Sequence, residues 1–466
     1  MTFSLNSMHL SGKEVLPLIE GGKGVAISTG LTAGAWAHAG GIGTFSAVNA
    51  DSFDENGQPL PVIYEGKSRK TRFEELVHKG IAGGITQAQI AHETSAGNGR
   101  IHMNVLWEMG GAERVLHGVL EGAKGLIHGI TCGAGMPFKL APLAAQHQVY
   151  YYPIVSSGRA FRALWLRSYR KVPEWLGGVV YEDPWLAGGH NGLSNSEDPN
   201  TPENPYPRVK ALRATMNEFG LHQTPIVMAG GVWFLREWRN WIDNPELGPI
   251  TFQFGTRPLV TQESPISAAW KQRLLELKPG DIKLNRFSPT GFYSSAVYND
   301  FLHELYERSD RQVAAVEQPA GDHTVAFAFG VRNRQVFVTE HDHQRIQEWQ
   351  AEGFSKALHT PDATLIFVTP DKAKEIREDQ LNCMGCLSQC LFSNWASNEA
   401  GTTGHKADPR SFCIQKTLQD IAHGATPEHQ LMFAGHAAFR FGEDPLYANG
   451  HIPTTAELIG KITQGN

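Results

Sequence analysis

Two groups of residues in this 466-residue chain have types and spacings that could do chemistry. The first is Cys383-Met384-Gly385-Cys386-Leu387-Ser388-Gln389-Cys390, a C-x2-C-x3-C run with Cys413 further on. Three thiolates so close in sequence, with a fourth brought in by the fold, can ligate a 4Fe-4S cluster. Structural zinc favours two C-x2-C pairs, and the second half here has none, so zinc is the weaker metal reading. Cysteines at i, i+3 and i+7 could also be one buried face of a helix. The second group is His190, with Gly189 before it and Gly192 after it. Imidazole titrates near neutrality and suits a base that takes an acidic C–H proton, or a donor to a carbonyl. His341-Asp342-His343 lies between a hairpin pattern and a helical one, and reads as a solvated turn.

Placing these residues requires the elements that carry them. Eight short apolar runs recur along the first 255 residues: 15–20, 42–48, 101–106, 125–131, 149–155, 178–182, 224–229 and 250–255. They are nearly continuous in apolar character, as parallel strands buried on both faces must be. Helical patterns such as 111–123 and 206–219 separate them. This alternation predicts an α/β TIM barrel, with a doubly wound sheet as the alternative. After residue 300 the pattern changes to a helix over 300–317, a hairpin over 325–338 turning near Arg332 and Asn333, a helix over 343–357 and a strand at 363–369. The expected organisation is a barrel over 1–299, a small α+β insertion over 300–375, and a Cys-rich segment with C-terminal helices near 414–423 and 455–463 over 376–466.

In a barrel, function lies on the loops after the strands. Those loops carry Gly21-Gly22-Lys23, Cys132-Gly133-Ala134-Gly135, Gly188-Gly189-His190, Gly230-Gly231 and Gly255-Thr256-Arg257, and the third strand contains Asn104. Glycines at successive strand ends let backbone N–H groups approach a ligand, and those after strands seven and eight suit a phosphate. There is no GxxxxGK[ST] run and no clean GxGxxG, which disfavours nucleotide-motif alternatives. Cys132 stands apart at a strand end and reads first as core packing.

Composition excludes several classes. Lys and Arg number 41 against 47 Asp and Glu, a formal net charge of −6, so no electrostatic footprint for nucleic acid is present. Five cysteines are too few for a disulfide scaffold. Residues 24–50 lack charged side chains but are rich in Gly, Ala, Ser and Thr, so they read as a buried strand–loop–helix–strand unit and not a membrane span. The opening residues lack a basic region leading into an apolar core, so no secretory leader is expected. A cytoplasmic protein acting on a small molecule follows, with a homo-oligomer and an electron-transfer partner as the open forms of association.

LPLIEGG, AHAGGIGTF, LAGGHNG, PIVMAGGVW and FQFGTRPL, in this order, resemble the nitronate monooxygenase (2-nitropropane dioxygenase) family, which includes the FMN-dependent enoyl-ACP reductases of the FabK type. The resemblance covers roughly residues 12–300, and SPTGFYSSAVYN (288–299) adds to it. It implies non-covalent FMN, with the phosphate on Gly230, Gly231, Gly255 and Thr256, the ring near Gly21, Gly22, Lys23 and Asn104, and His190 beside the flavin in the Gly188-Gly189-His190 loop. Two departures concern substrate identity: Leu186 stands where the family has Glu, and Gly22-Lys23 where many members have Pro-Met. The cysteine run is similar to the C-x-G-C-x-x-x-C loop of iron–sulfur flavoenzymes such as the 2,4-dienoyl-CoA reductases.

Two activities follow. One is oxidation of a nitronate or similar carbon acid with His190 as base, and it is placed first on the barrel motifs. The alternative is FMN- and cluster-dependent reduction of an activated C=C bond, with NAD(P)H as the electron source. A non-enzymatic flavin- and metal-binding regulator is the third, and a catalytic-type histidine counts against it.

Overall fold

Every one of the eight apolar runs overlaps a parallel strand. In the computed structural model these are β1 (Leu18–Glu20), β2 (Ile42–Ser46), β3 (Arg100–Leu106), β4 (Gly129–Gly133), β5 (Tyr150–Val155), β6 (Val179–Glu182), β7 (Ile226–Ala229) and β8 (Ile250–Phe254). They close into one barrel, β8 pairing with β1 through Phe252 and Leu18 and with β7 through Ile250 and Ile226. The structure describes residues 5–52, 59–60, 63–133, 135–330, 332–423 and 426–466, so the first four residues and Ala134 lie outside it. The fourth strand begins later than its apolar run because Gly125, at φ +82°, turns the chain first.

Helices α1 (Gly30–His38), α2 (Arg69–Ser95), α3 (Ala112–Gly122), α4 (Leu140–Gln146), α5 (Gly158–Arg167) and α6 (Pro205–Glu218) cover the first six crossovers. The seventh crossover is a 3-10 turn over Leu235–Trp241, and α7 (Ala268–Leu275) follows β8. The small-residue stretch 24–50 is explained by close packing. A Cβ on Gly43 would lie 1.7 Å from the Ala33 carbonyl oxygen of α1, and one on Gly30 would lie 2.3 Å from the Gln87 carbonyl oxygen of α2. Among the described residues no helix is long and apolar enough to cross a membrane.

An N-terminal hairpin (Met8–Leu10 with Lys13–Val15) plugs the amino-terminal end of the barrel. Its Leu10 and Val15 pack with Ile19, Ile42, Val180 and Val227, all fully buried or nearly so. Burial of each such side chain contributes about 1.5–3 kcal/mol.

Beyond the barrel, Ile282–Asn285 and Ser294–Val297 form an antiparallel pair, and the two-residue strand Gly189–His190 joins it through Ser294 and Ser295. Helix α8 (Asp300–Asp310) is shorter than its amphipathic pattern, because Gln312–Ala314 leaves the helix to pair with Thr364–Val368. The expected hairpin forms from Val325–Phe329 and Arg334–Val338. Helix α9 (Glu340–Ala351) starts earlier than expected, capped by Thr339, and so takes in His341, Asp342 and His343. That triplet is therefore a helical first turn, not a loop turn. Lys356–His359 completes the small sheet, and α10 (Pro370–Leu381) leads back to the barrel. There the chain forms α11 (Ile414–Ala422) and α12 (Thr455–Ile462), at the two expected places.

Candidate functional site

A cavity lies at the carboxyl ends of the barrel strands, lined by Gly21, Gly22, Lys23, Asn104, Gly188, Gly189, His190, Gly230, Gly231, Gly255 and Thr256 together. These are the barrel residues that the resemblance assigns to the flavin and its surroundings; Cys132, Gly135 and Arg257, which the sequence also marks, do not line it. The strands bring the lining residues together from positions far apart in the chain.

The glycines create the space. Gly230 and Gly231 take φ of +90° and +75°, a conformation that side chains with a Cβ rarely adopt. A Cβ added at Gly255 would meet nothing within 4 Å, so this strand end faces open cavity. At Gly22 the reason differs: a Cβ there would sit 2.2 Å from Asn104 Cβ, so the first loop lies directly on that side chain. Thr256 Oγ1 accepts the Gly435 N–H at 2.9 Å and keeps its own proton to donate. Paired positive-φ glycines, an open glycine and a hydroxyl donor form a concave polar cradle of the kind a phosphate group occupies. The residues present therefore fit FMN. Arg257 is no part of this cradle: its guanidinium is buried against Asp444 at 2.7 Å and the Trp233 carbonyl at 2.9 Å.

The Lys23 ammonium donates to Glu20 Oε1 at 3.1 Å and to the Gly21 carbonyl at 2.7 Å, which holds the first loop closed on itself. Burial raises the Glu20 carboxyl above its ordinary value, and Lys23 opposes the shift. Asp183 Oδ1 accepts the N–H groups of Trp185 and Leu186, fixing the turn that presents the Gly188–His190 strand.

His190 Nε2 lies 2.6 Å from Ser288 Oγ, and its ring meets Phe433 edge-on at 5.3 Å. Burial lowers its pKa to about 4, so the imidazole is neutral at physiological pH. A neutral imidazole can accept a proton or donate a hydrogen bond, according to its tautomer. Glu182, at the end of β6, also lines the cavity. Burial, aided by neighbouring Asp183, raises it to about 8, and its acid form is favoured at neutral pH.

Sequence reasoning missed several lining residues. Glu182 and Gln253 line the cavity from β6 and β8. Each is a lone polar residue near the end of an apolar run, a local signal that could have marked it. The roof has no such signal. Residues 432–434 run beside the Ser294–Val297 strand, with Val297 N–H donating to Met432 O and Ala434 N–H to Ser295 O. Helix α11 presents Ile414, Gln415, Leu418 and Ile421 to the cavity.

The cysteine segment also reaches the cavity, through Cys386 and Leu387. Cys383 and Cys390 are buried, with Cys386 and Cys413 half-buried beside them. Ser393 Oγ donates to Cys383 Sγ at 3.0 Å. The run lies beyond the end of the helix Pro370–Leu381 and is not a helical face. Among the described residues no three His, Cys, Asp or Glu side chains form a group that could hold a metal ion. Cys132 is fully buried in the barrel wall and does not line the cavity.

Residues 168–366 match the family model described as nitronate monooxygenase. The match contains LAGGHNG, PIVMAGGVW and FQFGTRPL, begins after LPLIEGG and AHAGGIGTF, and continues through most of the region expected to be an insertion. No curated protein matches the chain. Among solved structures, FabK from Thermotoga maritima has a TM-score of 0.50 at 14% identity, covering 96% of this chain and 92% of its own. The enoyl reductase domain of MlnA from the macrolactin biosynthesis cluster of Bacillus amyloliquefaciens has a TM-score of 0.53 at 12% identity, covering 97% and 93%. Nitroalkane oxidase from Streptomyces ansochromogenes has a TM-score of 0.44 at 17% identity, covering 62% and 79%. At such identities the first two likenesses establish a shared fold.

Proposed function

We propose that this chain, an FMN-dependent oxidoreductase similar over residues 168–366 to the nitronate monooxygenases, reduces an activated C=C bond in a substrate with an apolar chain. The observation that carries this reading is the roof. Ile414, Leu418, Ile421, Leu387 and Met432 give the cavity an apolar upper wall above a polar floor of glycine loops. Nitronates are small and anionic, and draw little benefit from such a wall; an apolar chain buried against it gains roughly 0.8 kcal/mol per methylene. The structural neighbours that span nearly the whole chain, the C-terminal region included, are themselves described as FabK and an enoyl reductase domain, which supports the same order. This reverses the ranking drawn from the barrel motifs alone.

Bound FMN supplies hydride transfer to and from carbon. The chain's own residues would do the rest. Gly230, Gly231, Gly255 and Thr256 would hold the phosphate, while Gly21, Gly22, Lys23 and Asn104 would border the ring. Neutral His190, anchored by Ser288, would orient the carbonyl that activates the double bond or pass a proton to the α-carbon. The roof would exclude water from the reacting atoms. NAD(P)H is the proposed electron source. The four cysteines are read as holding a 4Fe-4S cluster, to which an electron-transfer partner could donate; a homo-oligomer is compatible with this arrangement.

Nitronate oxidation with His190 as base is the second reading, favoured by the description of the matching family model. Anaerobic flavin spectroscopy separates the two. Under the reductase reading NAD(P)H bleaches the flavin and an enoyl thioester restores its colour. Bleaching by a nitronate with no response to NAD(P)H would reject the reductase reading and leave the oxidase.

A further inference from the structure

We propose that Arg257 and Asp444 are positioning residues for the flavin phosphate. Their buried ion pair sets the spacing of the loops after β7 and β8, and through it the preference of the cavity for a phosphorylated flavin over an unphosphorylated one. The inference deepens the reading of the cavity as an FMN site and rests on it. Neither side chain lines the cavity, so the pair acts on the cofactor only through the loops it holds.

The cradle is split between two loops. Gly230 and Gly231 follow β7, Gly255 and Thr256 follow β8, and the strands themselves pair as far as Ala229 and Gln253. Among the described residues no backbone–backbone hydrogen bond joins the two loops beyond the strands. Arg257 supplies the link. It follows Thr256 directly, and its Nη1 donates to the carbonyl of Trp233, two residues past Gly231, at 2.9 Å. Asp444 Oδ2 accepts from Arg257 Nη2 at 2.7 Å and from Trp233 Nε1 at 3.2 Å. Trp233 is thus held by its backbone and by its ring, and both holds run through the pair. The segment carrying Asp444 is itself fixed: Asp444 Oδ1 accepts the Leu446 N–H at 3.0 Å, and Phe441 packs edge-on against Trp233 at 4.8 Å.

Stability alone does not account for such a pair. The two side chains are 1% and 2% exposed. Taking both charges out of water is costly, and apolar residues of similar volume often hold a fold equally well. What apolar residues cannot do is fix two backbone segments by directional bonds, whose strength falls steeply with angle. A phosphate cradle needs that direction, because donors from both loops must point at one anion. Gly230 and Gly231, at φ +90° and +75°, have no side chains of their own to hold them in place. Asp444 neutralises the guanidinium locally, so Arg257 is a brace and not a spare cation for the phosphate.

The test uses the full-length protein freed of flavin, with FMN and riboflavin as probes and isothermal titration giving a dissociation constant for each. The wild type should bind FMN roughly a hundred-fold more tightly than riboflavin, the worth of one or two hydrogen bonds to a charged group. The double variant Arg257→Met with Asp444→Leu removes both charges together, and its flavin-free melting temperature should stay close to wild type. Its preference for FMN should nevertheless fall about ten-fold, as one such hydrogen bond is lost, with riboflavin affinity nearly unchanged. Arg257→Lys keeps the charge but loses the planar fork that reaches Trp233 and Asp444 at once. It should lower the same ratio several-fold, and it covers the case of a double variant that does not fold. An unchanged ratio in a folded variant would overturn the proposal. So would an equal loss of affinity for both flavins, which would make the pair a brace of the fold alone, and so would failure of both variants to fold. Equal affinity of the wild type for the two flavins would remove the phosphate cradle and the proposal with it. A wild type that binds neither flavin would instead reject the FMN reading itself.

Discussion

Asn49 Nδ2 donates to Gln415 Oε1 at 2.6 Å, tying the loop after β2 to the roof helix across most of the chain. Both residues line the cavity. Asp51 and His423 make a second tie 3.0 Å long beside it. The roof thus hangs from the barrel by side chains that no local pattern pairs. Replacing Asn49 with Ala leaves Gln415 Oε1 without its donor, at a cost of about 1–2 kcal/mol. Denaturant unfolding should show that loss, and turnover of Asn49→Ala should fall through a raised KM, with flavin content unchanged. Unaltered stability and KM would mean that the contact does not hold the roof.

The His190 imidazole supplies a pH prediction. Its folded pKa, about 4, lies below the ordinary 6.5. Between these values the unfolded chain binds more protons, so this group's contribution to stability is complete above 6.5 and is lost as pH falls through 4. Turnover should show no titration of His190 between about pH 6 and 8. His190→Ala should retain FMN and lose most turnover, and its melting temperature should depend less on pH between 4 and 6.5. Wild-type turnover in the variant would remove His190 from the reaction.

Glu182 behaves in the opposite sense. Its carboxyl is raised from 4.5 to about 8 by burial and by Asp183. Across that window the folded state holds the extra proton, so stability falls as pH rises. Glu182→Gln keeps the shape and removes the titration. Thermal melts of the variant should be flatter between pH 4.5 and 8 and should exceed wild type near pH 9. Parallel curves for the two proteins would place the carboxyl outside this account.

Two glycines separate fold from ligand binding. Gly255→Val adds atoms where a Cβ meets nothing within 4 Å, whereas at Gly188 a Cβ would lie 2.5 Å from the Ala434 carbonyl carbon. Gly255→Val should therefore melt close to wild type when both are flavin-free, and should bind FMN at least ten-fold more weakly. Gly188→Val should lose stability, by about 1–3 kcal/mol. Calorimetry of the flavin-free proteins with FMN titration distinguishes these outcomes, and equal FMN affinity in Gly255→Val would argue against the cradle.

The barrel was legible because a parallel strand buried on both faces must be apolar throughout, and runs such as VYYYPIV (149–155) and TPIVMA (224–229) are. The glycine loops were legible because Gly21, Gly230 and Gly255 each follow a strand directly and Gly188 lies six residues beyond one. The roof was hidden for the converse reason. Thr256 meets Gly435 and Asn49 meets Gln415 across long stretches of sequence, and nothing near Gly435 or Gln415 marks either as a cavity residue. The strand at Gly189–His190 was also hidden, since its pairing with Ser294 and Ser295 is not a local property. Helix lengths erred where tertiary pairing prevailed over periodicity, as at Gln312–Ala314, which trades a turn of helix for a place beside Thr364–Val368.

The segment that pairs with Ser294–Val297 and passes over the strand ends, Met432–Gly435, has a consequence for synthesis on the ribosome. The eighth strand is complete at Phe254, and at about 5–20 residues per second translation needs roughly 10–40 s more to reach this segment. During that interval a barrel can close while its mouth stays uncovered. A cofactor entering then meets no roof, whereas one entering later must wait for α11 and the strap to part. Release and reloading in the finished protein should accordingly be slower than first capture.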